Sequence, residues 1–299
     1  MNSKNLKITN LDQDSQEILA LINQAEAIVV GIGSGLTAAD GIGYAGFRFE
    51  EHFGDFIEKY RFLDMLQASL FDFPNWQTYW AFHSRFIKLN YFDLPKSASF
   101  LKLKEILANK NYFIITTNSD SSLEVNDFDQ SKIFYIQGKY NLLQCSKMCQ
   151  NILYKNDKLI NQMVKTQQNM QIDATLLPKC PNCDAFLEVN KRIAYKGMVE
   201  DATFLAQQKA YDDFLKENQD KKVLFWEIGV GYTTPQLIKW AFWKMCLANR
   251  KSTYLVFNAK NYHISSELKK QTKIYHYDIA KLIDKVWQQG AKNDFNRTN

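Results

Sequence analysis

Six short apolar runs alternate with helix-like segments along most of the chain. The runs cover residues 27–30, 112–115, 133–136, 223–228, 253–257 and 273–276. Helical spacing of apolar residues lies between most of them, as in residues 98–108 and 234–248, and a first helix ends near Gln24. Continuous apolar strands separated by helices indicate a parallel sheet that is buried on both faces. The pattern therefore predicts an α/β fold with a doubly wound, Rossmann-like parallel sheet.

Glycines and polar residues follow most of these apolar runs. They include Gly31, Gly33, Thr117, Asn118, Gln137, Gly138, Gly229, Gly231 and Asn258. Open α/β sheets bind ligands beyond the carboxyl ends of their strands. This edge of the predicted sheet is therefore a candidate site for a nucleotide-type ligand.

Two stretches interrupt the alternation. Residues 50–91 are rich in aromatic side chains and look helical, and residues 139–196 contain four cysteines and little strand–helix alternation. We expect both to be insertions that build a smaller zinc-binding, helical lobe. The larger domain would then consist of residues 1–49, 92–138 and 197–299.

Composition narrows the possible class of protein. The 299 residues are 46% hydrophobic and 23% charged, which is typical of a packed globular chain and not of a disordered one. The net charge of +5 is mild and dispersed, so no nucleic-acid partner is expected. No apolar run is long enough to span a bilayer, and the N-terminal segment lacks the apolar core of a signal peptide. We expect a cytoplasmic protein with no membrane partner.

A glycine-rich stretch from Gly31 to Gly43 follows the first apolar run. Glycines after a strand let backbone N–H groups approach a pyrophosphate, although a tight strand-to-helix turn would show the same pattern. Glu50 and Glu51 lie about twenty residues further on, where a dehydrogenase places its ribose-binding acid. Their surroundings do not resemble the end of a strand, so we reject that match.

The cysteines form two close pairs. Cys145 and Cys149 make a C-x3-C pair, and Cys180 and Cys183 make a C-x2-C pair. In a reducing compartment this spacing favours a metal over disulfides, and four thiolates suit a closed structural zinc site; four unrelated thiols are the alternative. Cys246 lies among apolar residues and is expected to be a buried core thiol.

Taken together, these motifs resemble those of the sirtuins. The matching features are the Gly31-Ile32-Gly33 loop leading to Gly41-Ile42 and Phe47-Arg48, the strand end Thr117-Asn118-Ser119-Asp120, the cysteine pairs, Gly229-Val230-Gly231, and Asn258. They extend over residues 25–287 and are most similar to the macrodomain-linked (class M) sirtuins. The resemblance implies NAD as co-substrate, a structural zinc ion, and protein ADP-ribosyltransferase activity.

The resemblance also implies which residues form the site. Those expected to contact NAD are Gly31, Gly33, Ser34, Gly35, Asp40, Phe47, Arg48, Asn118, Asp120, Gln137, Gly229, Val230, Gly231, Thr233, Asn258 and Ile279. The first glycines and Ser34 would line the pyrophosphate, and Phe47 and Arg48 would close over the nicotinamide ribose. Asn118, Asp120 and Gln137 would be catalytic, although an asparagine after a strand also commonly caps a turn.

One departure from the sirtuin pattern bears on the reaction. The His-Gly pair that supplies the base of sirtuin deacylases reads Gln137-Gly138 here. A carboxamide can orient a hydroxyl but cannot take its proton, whereas imidazole titrates near neutrality. We expect His52, His83, His263 and His276 to be ordinary surface or packed residues.

Transfer of ADP-ribose does not need the general base that deacylation needs. A carboxylate acceptor is already ionised at neutral pH, so no base is needed. We therefore expect an NAD-dependent protein ADP-ribosyltransferase; a protein-lysine deacylase and a non-catalytic NAD-sensing protein are the alternatives. Resemblance to class M sirtuins further implies a lipoylated, glycine-cleavage-H-like carrier as acceptor, a macrodomain ADP-ribosyl hydrolase acting in opposition, and a role in the oxidative stress response.

Overall fold

The computed structural model describes residues 10–260 and 263–298. The first nine residues, where no signal peptide was expected, lie outside this range. The strands are β1 (Ala27–Ile32), β2 (Tyr112–Thr116), β3 (Ile133–Tyr135), β4 (Gly138–Cys145), β5 (Tyr154–Lys155), β6 (Leu187–Lys191), β7 (Val223–Ile228), β8 (Thr253–Phe257) and β9 (Thr272–Tyr275). The helices are α1 (Leu11–Gln24), α2 (Ser34–Ala39), α3 (Phe47–Tyr60), α4 (Met65–Ser69), α5 (Trp76–Ile87), α6 (Ala98–Leu107), α7 (Ser122–Val125), α8 (Asp157–Thr166), α9 (Ala202–Asn218), α10 (Lys239–Ala248) and α11 (Ile279–Thr298).

The six predicted strands form one sheet. Its order is β3-β2-β1-β7-β8-β9, and every neighbouring pair runs parallel. Central β1 pairs with both β2 and β7, with Ile28 opposite Tyr112 on one side and Leu224 on the other. The α/β fold with a doubly wound parallel sheet is therefore confirmed, and the third strand ends at Tyr135, one residue earlier than predicted.

Both faces of the large sheet are covered. Successive residues of β1 contribute to opposite cores: Ile28 and Val30 pack on the side of α1, α6 and α11, and Val29 packs on the side of α9 and α10. This alternation explains why the strands read as continuous apolar runs. The helix predicted for residues 234–248 begins only at Lys239, because Ile238, with φ −125° and ψ −60°, does not have a helical backbone conformation.

The smaller lobe has a separate, aromatic core. Its buried residues fall between Phe49 and Tyr91 and between Tyr140 and Val189. Strands β5, β4 and β6 form an antiparallel sheet in this lobe, which the sequence analysis did not predict. Glu50 and Glu51 lie within helix α3, which confirms that they do not follow a strand.

Within the described residues, no helix is both long and apolar enough to span a bilayer.

Candidate active site

A cavity of about 890 Å³ lies where the large domain faces the smaller lobe. The large domain contributes residues that follow the carboxyl ends of its strands: Ser34, Thr117, Asn118, Ser119, Gln137, Val230, Gly231, Thr233 and Thr234. The smaller lobe contributes the segment from Leu66 to Tyr79, together with Tyr140, Glu188 and residues 191–196. The size is within the range of roughly 300–1,000 Å³ found for small-molecule sites. The strand-end location is the one expected for an open α/β sheet.

Three glycines bring the loop after β1 against the turn after β7. Gly229 has a φ of +63°, and a Cβ added there would lie 2.5 Å from the backbone nitrogen of Leu36. The N–H of Gly33 donates to the carbonyl of Ile228 at 3.0 Å, and that of Gly35 donates to the carbonyl of Gly229 at 2.9 Å. These two N–H groups are therefore occupied within the protein, and only Ser34 of this loop lines the cavity. Gly33, Gly35 and Gly229 allow the two loops to touch, and contact between the glycines and a pyrophosphate stays a prediction.

Gly31 also differs from its expected place. It lies inside β1, where an added Cβ would come within 2.5 Å of Ile238 and 2.8 Å of Phe242. Its lack of a side chain lets α10 pack closely on the sheet, below the cavity.

Asn118 is held at the cavity wall by two hydrogen bonds. Its backbone N–H donates to Thr116 Oγ1 at 3.0 Å, and its side-chain amide donates to Thr37 Oγ1 at 3.1 Å. The side chain is 7% exposed although it lines the cavity. This arrangement fixes the amide in one orientation, as a group that positions a ligand requires.

Gln137 lies at the end of β3 and also lines the cavity. Its side-chain amide donates to Thr234 Oγ1 at 2.9 Å. The next residue, Gly138, has a φ of +87°, and a Cβ there would meet the backbone oxygen of Asn190 at 2.5 Å. The glycine therefore permits the sharp turn from β3 of the large domain into β4 of the smaller lobe, and the turn places Gln137 between them.

Asp120 lies behind the cavity wall rather than in it. Its Oδ1 accepts a hydrogen bond from the N–H of Ser122 at 2.9 Å, and the carboxyl group is 4% exposed. Burial raises the pKa of Asp120, although hydrogen bonds from Ser122 and the positive charge of Arg48 act in the opposite direction. Near it, the hydroxyl groups of Tyr44 and Tyr140 lie 3.2 Å apart, and both tyrosines line the cavity.

Four further residues expected to contact NAD do not line this cavity. Arg48 donates to Asn90 Oδ1 at 2.8 Å and to the carbonyl of Leu89 at 3.0 Å, which ties the start of α3 to the turn that follows α5. Phe47, at the start of the same helix, is 76% exposed. Asp40 accepts hydrogen bonds from Ser99 and Ser97, at the N-terminus of α6. Ile279 begins α11 and is buried in the core beneath the sheet.

Asn258 does not line the cavity, but it contacts a residue that does. Its side-chain amide donates to the carbonyl of Val230 at 3.1 Å. Val230 and Gly231 line the cavity, so Asn258 holds the turn that presents them.

The four paired cysteines converge. Their Sγ atoms all lie within 4.8 Å of one another, with 3.5 Å between Cys145 and Cys183 and 3.6 Å between Cys149 and Cys180. Tetrahedral zinc with bonds of about 2.3 Å separates its sulfurs by about 3.8 Å, so the four thiols fit a closed structural zinc site. Although burial opposes the effect, N–H groups of residues 182 and 183 lower the pKa of Cys180 to about 6; the pKa of Cys149 is raised, because its hydrogen bonds with the other three thiols outweigh the opposing one from Asn182. Cys246 is fully buried in the core, as expected.

The chain was compared with known proteins at the level of sequence. No family model matches it. A protein ADP-ribosyltransferase of Staphylococcus aureus is 48% identical over 282 residues, covering 94% of this chain and 90% of that protein. The chain belongs to the family of this protein ADP-ribosyltransferase. A probable bifunctional ADP-ribose hydrolase/ADP-ribosyltransferase of Fusarium oxysporum f. sp. cubense is 24% identical over 73% of the chain, which spans 38% of that longer protein.

Solved structures show the fold that this member of the ADP-ribosyltransferase family adopts. A Sir2 homolog–NAD complex matches with a TM-score of 0.60 and 13% identity, covering 93% of this chain and 94% of that one. Sir2 bound to an acetylated peptide matches with a TM-score of 0.58 and 15% identity, over 92% and 98% of the two chains. The fold is therefore that of the sirtuins, as the motifs predicted.

This family member has cavity residues that the sequence analysis missed. Lys191 and Arg192 line the cavity at the end of β6, and Thr234 holds Gln137. No motif marks these positions, because strand β6 lies in a region where the sequence showed no strand pattern. Among the described residues that line the cavity, none is a histidine.

Proposed function

We propose that this enzyme transfers ADP-ribose from NAD to a carboxylate of an acceptor protein and releases nicotinamide. The observation that carries the proposal is the side chain of Gln137, which lines the cavity where a deacylase would need a base. A carboxamide has no accessible proton equilibrium near neutral pH. His83, which lies 3.1 Å from the cavity residue Lys191, is buried and its pKa is held well below the ordinary value, chiefly by burial.

The transfer step balances without an enzymic base. The bond between the ribose C1′ and the pyridinium nitrogen of NAD breaks, and its electron pair stays with nicotinamide, which leaves as a neutral molecule. A carboxylate oxygen of the acceptor then donates an electron pair to C1′ and forms an ester. The positive charge of the pyridinium and the negative charge of the carboxylate both disappear, so no proton moves.

The cavity offers distinct groups for the two reactants. We assign Ser34, Gly231 and Thr233, which follow β1 and β7, to the phosphates and the adenine-side ribose. Asn118 would position the nicotinamide ribose, because its amide orientation is fixed by Thr37. Gln137 would orient a ribose hydroxyl with the part of its amide that Thr234 does not engage. The buried carboxyl of Asp120 is expected to act on the nicotinamide side, from behind the wall.

A lipoylated, glycine-cleavage-H-like carrier is the acceptor we propose. Two features support it. The smaller-lobe wall of the cavity contains an apolar patch of Leu66, Leu70, Phe71, Phe73 and Trp76, which suits the aliphatic arm of a lipoyl group. The net charge of +5 favours an acidic partner.

We also propose that an ADP-ribosyl hydrolase of the macrodomain class reverses the modification. The support is the name of the Fusarium relative, which joins an ADP-ribose hydrolase to an ADP-ribosyltransferase in one chain. The part played by such a pair in the oxidative stress response stays a prediction.

The test uses NAD labelled in its adenylate half, the purified enzyme, and one carrier protein prepared with and without its lipoyl group. The proposal expects label on the lipoylated carrier, release from that carrier by hydroxylamine, and much less label on the unlipoylated form. Equal labelling of both carriers would support transferase activity and would contradict the requirement for a lipoyl group. Absence of label together with formation of O-acyl-ADP-ribose from acylated peptides would replace the transferase by a deacylase.

A further inference from the structure

Lys191 is the last residue of β6, and it lines the smaller-lobe side of the cavity. Its ammonium group donates a hydrogen bond to the carbonyl of Ser69. It also lies 3.1 Å from Nε2 of His83. Both contacts are with residues of the smaller lobe.

His83 is a neutral partner of this ammonium group. Burial and the nearby charge of Lys191 hold the pKa of His83 well below its ordinary value. Its Nδ1 lies 2.9 Å from the carbonyl of Tyr79, and its Nε2 lies 3.2 Å from the carbonyl of Ser69, which the ammonium group of Lys191 also contacts. Tyr79 stacks on the imidazole at 3.9 Å between ring centroids and fixes the ring plane.

Lys191 has no acidic partner of its own. Among the described residues, no carboxylate oxygen lies within 4.0 Å of Lys191 Nζ, so this ammonium group forms no ion pair there. The nearest acid on the same strand, Glu188, is already bonded to Lys196 at 2.6 Å and to Gln144 at 2.8 Å. The third cation of the cavity wall, Arg192, is paired with Glu200 at 2.7 Å.

A partly buried cation that contacts only neutral groups is costly unless an anion compensates it. Because Lys191 lines the cavity, an anion bound in the cavity can reach its ammonium group. We propose that Lys191 binds a carboxylate of the acceptor protein and so helps to select an acidic acceptor. This rests on the proposed function, because it assigns the smaller-lobe side of the cavity to the acceptor.

The acceptor is favoured over NAD as the source of this anion. Lys191, Ser69 and His83 all belong to the smaller lobe, beside the apolar wall between Leu66 and Tyr79. The groups that we assign to the phosphates of NAD belong to the large domain.

Lys191→Met and Lys191→Arg test the proposal, with Lys209→Met as a matched control. Lys209 lies on α9, is exposed, and is paired only with Asp213. Binding is measured by calorimetry without turnover, using the lipoylated carrier, NAD, and glutarate as a small dicarboxylate probe. We expect Lys191→Met to weaken both carrier and glutarate by about tenfold, and Lys191→Arg to retain most of the affinity. NAD should bind all of the proteins alike.

The outcomes separate this proposal from the proposed function. If glutarate binds the wild type and not Lys191→Met while no carrier is modified, the acceptor assignment fails and the carboxylate site stands. Equal binding of glutarate and carrier by wild type and Lys191→Met would overturn the site. Loss of NAD affinity in Lys191→Met, with the carrier unaffected, would overturn it in favour of a phosphate.

The affinity should also depend on pH. Burial lowers the pKa of Lys191 from 10.5 to about 8, and Lys196 adds to the effect while Glu188 and Asp72 oppose it. These groups, with His83 and Tyr79 from α5, are the titratable groups that face Lys191. Carrier affinity of the wild type should therefore fall above pH 8, and that of Lys191→Arg should not; parallel profiles would contradict the assignment.

Discussion

The side-chain amide of Gln137 donates a hydrogen bond to Thr234 Oγ1 at 2.9 Å, and this contact joins the end of β3 to the loop between β7 and α10. Both residues line the cavity. The bond fixes the amide in one orientation at the cavity wall. The reaction that we propose depends on this residue orienting a hydroxyl without accepting its proton.

Gln137→Ala should lower kcat/KM for ADP-ribosyl transfer by about tenfold, the effect of one orienting hydrogen bond. Thr234→Val removes only the partner that holds the amide and should have a smaller effect in the same direction. The pH profile of kcat should keep its shape in both variants, because neither residue titrates. A new inflection near neutrality, or the loss of one present in the wild type, would show that Gln137 is linked to a proton transfer.

The glycine contact between two loops gives a second prediction. Gly229→Ala introduces a Cβ 2.5 Å from the nitrogen of Leu36 at a φ of +63°, so the loops that shape the cavity must separate. We expect the free energy of unfolding to fall by about 2–3 kcal/mol and NAD affinity to fall as well. Denaturant titration and calorimetry measure the two effects.

Gly231→Ala is the matched control, because an added Cβ there meets no atom within 4 Å and the φ is not in the left-handed region. It lines the same cavity two residues away. Its stability should remain close to that of the wild type. Equal losses of stability in the two variants would mean that the contact between the two loops is not the reason why position 229 requires glycine.

The large sheet could be predicted because its strands are buried on both faces and therefore read as uninterrupted apolar runs. The antiparallel sheet of the smaller lobe could not, since β4 mixes buried and partly exposed residues without a regular alternation and β5 has only two residues. The cysteine pairs were visible because zinc ligands keep short spacings.

Functional details that depend on distant partners were not visible in the sequence. Gly33 and Gly35 carry a pattern that suggests phosphate contact, yet their N–H groups bond to residues 228 and 229, nearly two hundred positions along the chain. No local sequence pattern marks Lys191 as a candidate binding residue. The contacts of its ammonium group are with Ser69 and His83, which are 122 and 108 positions away. Only the folded chain brings these partners together.

Lys191 should also affect the pH dependence of stability. Its pKa is lowered from 10.5 to about 8 on folding, so the unfolded chain binds more protons between these values. Stability contributed by this position therefore rises as pH increases from about 8 toward 10.5. A difference of one in pKa corresponds to about 1.4 kcal/mol, and partial exposure to the cavity reduces the total to on the order of 2 kcal/mol.

The measurement is the difference in free energy of unfolding between wild type and Lys191→Met across this pH range. The free energy of unfolding of the wild type should increase relative to that of Lys191→Met as pH rises. A constant difference would show that the ammonium group keeps its ordinary pKa and is compensated in the folded protein.

Metal content tests the cysteine cluster. Cys180→Ser removes one of four ligands and should leave less than one zinc ion per chain, with a lower melting temperature. Cys246→Ala removes a buried thiol of the large domain and should keep the zinc. Full zinc retention in Cys180→Ser, or zinc loss in Cys246→Ala, would contradict the assignment of the site.

The central claim is that ADP-ribose passes from NAD to a carboxylate of an acceptor protein. Mass spectrometry of the intact lipoylated carrier, after incubation with enzyme and NAD, measures this directly when free nicotinamide is quantified in the same reaction. The account predicts a carrier heavier by one ADP-ribose, in amounts equal to the nicotinamide released, and predicts that hydroxylamine releases the ADP-ribose and leaves a hydroxamate on the former carboxylate. Nicotinamide release with an unmodified carrier, and ADP-ribose appearing instead on an acyl group or in water, would contradict it.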